Sequence, residues 1–124
     1  MNDHRIEKST NTPLVELNGN GYMCIKGVSI PENGLFFFLP IFKWIEEYGL
    51  QPSSKTTLDI ALDGYNTVSS KCILDVLKGL EKIKNQGFEV NVNWYYDRDD
   101  HDMLDAGQDF KNLIKVNFAL IEVN

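Results

Sequence analysis

The sequence predicts an α/β fold, a single domain over residues 1–124 with a mixed, mostly parallel sheet and elements in the order β-β-α-β-α-β-α-β. Three observations lead there. Apolar residues recur at three- and four-residue steps in separate segments, which marks helices; short apolar or alternating runs between them mark strands. Each of the last three strands is preceded by a helix, and a crossover of that length makes neighbouring strands parallel. The first two strands are instead joined by a tight turn and form an antiparallel hairpin at the edge.

The first eleven residues are polar and read as a loose arm. Thr12-Pro13-Leu14-Val15-Glu16-Leu17 is the first strand, Asn18-Gly19-Asn20-Gly21 the turn, and Tyr22 to Gly27 the returning strand. Pro31-Glu32-Asn33 opens the most apolar segment, read as a helix that bends near Pro40 and stops at Gly49. Its aromatic run, Phe36-Phe37-Phe38 with Phe42 and Trp44, covers more than one helical face. Core packing is the default for such side chains, and any left in water suit a partner interface.

After the linker Gln51-Pro52-Ser53-Ser54-Lys55, Thr56 to Leu62 forms a strand that breaks at Asp63-Gly64-Tyr65-Asn66. A helix follows from about Val68 to Asn85, because Ile73, Val76, Leu77, Leu80 and Ile83 share one face. Lys82 and Lys84 place positive charge in its last turn and Gly87 stops it. Phe88 to Tyr95 alternates at the strand period. A short helix from about Asp100 to Leu113 and a strand from Val116 to Val123 complete the order.

Composition narrows the function. Twelve basic residues against eighteen acidic give a net charge of −6, with no cluster of positive charge to meet phosphates, so nucleic acid is not an expected partner. The longest apolar stretch, Gly34 to Phe42, is far short of the ~20 residues that span a bilayer, and Met1 to Lys8 lacks the apolar centre of a secretory signal. Cys24 and Cys72 are isolated thiols without metal or redox spacing, which fits a reduced cytoplasmic setting and calls for no cofactor.

The segment richest in chemistry is Asn66-Thr67-Val68-Ser69-Ser70-Lys71, which presents hydroxyls where a helix begins. The first N–H groups of a helix lack internal partners and carry the positive end of its dipole, so a phosphate is stabilised there. The same residues are also ordinary helix caps, and local chemistry leaves both readings open. Asp97-Arg98-Asp99-Asp100-His101-Asp102, with Asp105 and Asp109, resembles a metal site only in composition. Counted from Asp97, positions six and twelve of a calcium loop fall on Asp102 and Gln108, where glycine and an acidic ligand are needed. Carboxylates at the positive start of a helix account for the cluster, and no nucleophile is placed beside His101, so no catalytic or metal residues are assigned.

Several separated motifs in one order carry a family resemblance. Pro31-Glu32-Asn33, the Phe-rich helix ending Trp44-Ile45-Glu46-Glu47-Tyr48, the Asn66-Thr67-Val68-Ser69-Ser70-Lys71 turn, Val92-Asn93-Trp94-Tyr95-Tyr96-Asp97 and Asp102-Met103-Leu104-Asp105-Ala106-Gly107 resemble the SiaC family of bacterial regulatory phosphoproteins. The resemblance implies a fold similar to STAS domains and to anti-sigma factor antagonists such as SpoIIAA. It places the phosphoacceptor at the threonine of the turn, Thr67, and implies a dedicated Ser/Thr kinase, a metal-dependent phosphatase and, for the unphosphorylated form, a diguanylate cyclase as effector, acting in biofilm or aggregation. Partner contacts are expected around that hydroxyl, at Tyr65, Asn66, Val68, Ser69, Ser70 and Lys71. Two other readings stand beside this non-enzymatic partner switch: a small-ligand or anion sensor at the same helix start, and a metal-dependent enzyme using Asp97 to Asp109.

Overall fold

All 124 residues are described by the computed structural model. The elements are β1 (His4–Ile6), β2 (Leu14–Leu17), β3 (Tyr22–Ser29), α1 (Gly34–Tyr48), β4 (Lys55–Tyr65), α2 (Thr67–Asn85), β5 (Glu89–Asp97), α3 (His101–Leu113) and β6 (Asn117–Val123). The six strands form one sheet in sequence order, antiparallel from β1 to β3 and parallel from β3 to β6. Connections that each step to the next parallel strand with the same hand leave their helices on the same face.

Alternation along the strands shows which face that is. In β4, Thr56, Leu58, Ile60 and Leu62 are buried beneath the helices, while Thr57, Asp59, Ala61 and Asp63 point to the other side. Val15, Leu17, Met23, Ile25, Val90, Val92 and Trp94 continue the buried layer across the sheet, and the helices close it with Phe38, Ile41, Ile73, Leu77, Leu80 and Phe110. Removing this apolar surface from water is the main source of stability. The open face is held by polar pairing instead: Asp59 accepts from Tyr22 Oη at 3.0 Å and from Asn93 Nδ2 at 2.9 Å.

Two anchors set the helices on the sheet. Trp94 donates its indole N–H to the carbonyl of Met103 at 2.9 Å, and Gly107 passes so close that a Cβ there would lie 2.4 Å from Trp94 Cδ1. Tyr48, at the end of α1, shares a 2.8 Å hydrogen bond with Thr56 Oγ1 and accepts the N–H of Ser53 at 3.1 Å, which fixes the entry to β4.

The structure differs from the sequence expectation at the N-terminus, while the apolar helix begins after Asn33 and stops at Gly49 as expected. Residues 1–11 are not a loose arm. His4–Ile6 pairs with β2, Gly19 N–H donates to Asp3 Oδ1 at 2.8 Å, and Trp44 Nε1 donates to the carbonyl of Asn2 at 2.8 Å. Backbone pairing and Ile6 against the core outweigh a polar side-chain pattern in that short strand. In α1 the helix runs through Pro40, which lies on its exposed side. The aromatic run divides by face: Phe38 is fully buried, Phe37 packs edge-on against it with ring centres 5.3 Å apart, and Phe36 is 73% exposed.

Candidate functional site

The turn between β4 and α2 lies beside the end of β3. Asn66 has extended backbone angles (φ −99°, ψ 175°) and caps α2: its side chain accepts the N–H of Ser69 at 2.9 Å and its carbonyl accepts the N–H of Ser70 at 3.0 Å. Its own N–H donates to the carbonyl of Ser29 at 3.2 Å, and Ser29 Oγ donates to Ser69 Oγ at 2.8 Å in the interior. The start of α2 is therefore fixed to the sheet by residues other than Thr67.

Thr67 is the first helical residue and is exposed. With Asn66 as the cap, the Thr67 hydroxyl is left free of the bonds that hold the turn. Neither α2 nor α1 has an acidic residue in its first turn, whereas α3 has Asp102. The two helix starts meet, since a Cβ on Gly34 would lie 2.5 Å from Val68 Cγ1. Positive dipole ends are thus brought side by side next to an accessible hydroxyl. Lys71, exposed one turn further along α2, lies on the same side of the helix as Thr67.

The other side of the turn is electronegative. Tyr65 is half-buried, and its phenol is pushed above its ordinary pKa by burial and by the charges of Asp100, Asp102 and Asp109. These carboxylates belong to the start and exposed face of α3. Asp100 caps that helix by accepting the N–H of Met103 at 3.0 Å, and Asp97 Oδ1 accepts from Asn124 Nδ2 at 2.9 Å. Nowhere are three His, Cys, Asp or Glu side chains gathered as a metal site.

The sequence-predicted partner residues separate under this geometry. Val68 and Lys71 are exposed, while Tyr65, Asn66 and Ser70 are partly so. Ser69 is fully buried, its hydroxyl turned inward to Ser29, so it offers neither a contact to a partner nor an oxygen to a kinase in the folded state. Sequence reasoning missed Ser29 and Gly34. Ser29 is opposite Tyr65 in the register of β3 and β4, a relation visible only once the strands are paired.

Comparison with known proteins agrees with the fold and the motifs. A model of SiaC family regulatory phosphoproteins matches residues 6–123. An uncharacterised protein of Pseudomonas aeruginosa is 28% identical over 121 residues, 97% of this chain and 96% of that protein. The crystal structure of apo-SiaC from P. aeruginosa superposes with a TM-score of 0.90 at 28% identity, covering 98% of this chain and 99% of that one. A chain in the crystal structure of the diguanylate cyclase SiaD in complex with its activator SiaC, from the same organism, gives 0.87 at 28% identity, over 98% of this chain and 100% of that one. The family match spans nearly the whole chain, and the chain belongs to the SiaC family of regulatory phosphoproteins.

Proposed function

We propose that this chain is a non-enzymatic, cytoplasmic partner switch whose state is set by phosphorylation of Thr67, the unphosphorylated form binding and activating a diguanylate cyclase. The observation that carries the reading is the free, exposed hydroxyl of Thr67 at the first position of α2, with the cap supplied by its neighbour Asn66. Modification at that oxygen leaves the bonds that hold the turn intact. The effector class comes from the P. aeruginosa relative, which is a cyclase activator.

In the forward step Thr67 Oγ1 bonds to the γ-phosphorus of ATP, the bond to the ADP oxygen breaks, and the hydroxyl proton passes to a base of the Ser/Thr kinase. In the reverse step water adds to phosphorus, the bond between phosphorus and Thr67 Oγ1 breaks, inorganic phosphate leaves and Oγ1 regains its proton; a metal-dependent phosphatase would supply the activated water. The added group carries a charge of about −1.5 to −2. It meets the free N–H groups of α2 and the Lys71 ammonium on one side, and the α3 carboxylates beyond Tyr65 on the other.

Incubation with ATP and the Ser/Thr kinase of the source organism, followed by mass spectrometry, tests the site. Phosphate on Thr67 is expected; phosphate mainly on Ser70 or Thr57 removes it. Ser69 is expected to stay unmodified because its oxygen is buried.

A further inference from the structure

We propose that Leu35, Phe36 and Leu39 of α1, together with Val68 of α2, form the surface on which an apolar face of the effector docks, and that phosphate on Thr67 acts at the border of this surface. The proposal rests on the effector reading above. These four are among the eight large apolar side chains the chain leaves in water, exposed by 57%, 73%, 46% and 49% respectively. They are also contiguous. Leu35 and Leu39 stand one turn apart, Phe36 is three residues from Leu39, and Gly34 brings this end of α1 directly against Val68.

The surroundings select this side of the turn. No charged side chain occurs from Gly34 to Phe42 or from Asn66 to Ser70, whereas Asp100, Asp102 and Asp109 act on Tyr65 from the α3 side. A partner that covers neutral, apolar ground must strip water from whatever borders it, and a phosphate is costly to desolvate. On the acidic side, one more negative charge would change the character of the surface less. The occupant is the cyclase, a class represented by the complex of the P. aeruginosa relative, whose fold covers 98% of this chain. Its contact surface is expected to hold an apolar pocket for the ring of Phe36, the most exposed aromatic of the run and a suitable anchor.

The test is calorimetric titration of each diguanylate cyclase of the source organism with unphosphorylated wild type, Phe36→Ser, Leu39→Ser and Leu113→Ser. Leu113 is 61% exposed at the end of α3 and serves as the control. The substitutions are at exposed positions, and unchanged thermal melting verifies the fold. Binding about 30-fold weaker for Phe36→Ser, as for an aromatic anchor, with a smaller loss for Leu39→Ser and none for Leu113→Ser, supports the docking surface. Wild type that binds no cyclase overturns the effector reading and this surface with it. Wild-type binding that neither α1 substitution weakens overturns the surface alone. Loss of a wild-type dimer in Phe36→Ser, with cyclase affinity unchanged, assigns the face to a second copy of the chain and likewise overturns the proposal.

Discussion

Ser29 and Ser69 join the end of β3 to the first turn of α2 through a 2.8 Å hydrogen bond between hydroxyls that are both fully buried. Removing one hydroxyl leaves the other without a partner in the interior, which costs about 1–3 kcal/mol. Ser29→Ala and Ser69→Ala should each lose stability of that order in urea unfolding. The double variant should lose less than the sum, because the second change removes the orphaned group.

Asn66 and Thr67 should separate capping from signalling. Asn66→Ala removes the acceptor for the N–H of Ser69 and should cost about 1 kcal/mol. Thr67→Ala, at an exposed position outside the cap, should stay within about 0.5 kcal/mol of wild type and abolish phosphorylation. Equal losses in denaturant unfolding would mean that Thr67 shares the structural task.

Gly34 tests the contact between the two helix starts. A methyl group there would lie 2.5 Å from Val68 Cγ1, so Gly34→Ala should destabilise the domain by about 1–3 kcal/mol through overpacking. Adding Val68→Ala should recover much of that loss in the same assay. No recovery would show that the strain arises elsewhere.

Tyr22 gives a prediction at alkaline pH. Burial first, then the hydrogen bond it donates to Asp59, raises its phenol well above the ordinary value of 10.0. Across the window above about pH 10 the unfolded chain loses this proton before the folded one, so stability falls as pH rises. Tyr22→Phe should flatten that part of the stability profile. An unchanged slope would show that the phenol is not held neutral by the fold.

Much of the fold was legible because its periodicities are long. The face of Ile73, Val76, Leu77, Leu80 and Ile83 gave α2, and Glu89 to Tyr95 alternates through a strand with one buried side. His4–Ile6 was not legible: two of its three side chains are polar, and its existence depends on pairing with β2. At the site, the helix start and its hydroxyls could be read from Asn66 to Ser70, but not which residue caps and which faces inward. That division depends on Ser29, forty positions from Ser69 in the chain and in contact with it only through the parallel pairing of β3 with β4. The split of Phe36 from Phe38 likewise depends on where α1 meets the sheet.

The most direct measurement of the central claim is the affinity of the organism's diguanylate cyclase for this protein in its unmodified form and after stoichiometric phosphorylation on Thr67, compared by calorimetry under the same salt conditions. Tight binding of the unmodified protein and at least about tenfold weaker binding of the phosphorylated one, a difference of 1.4 kcal/mol, is predicted. Equal affinity for the two forms would contradict the switch.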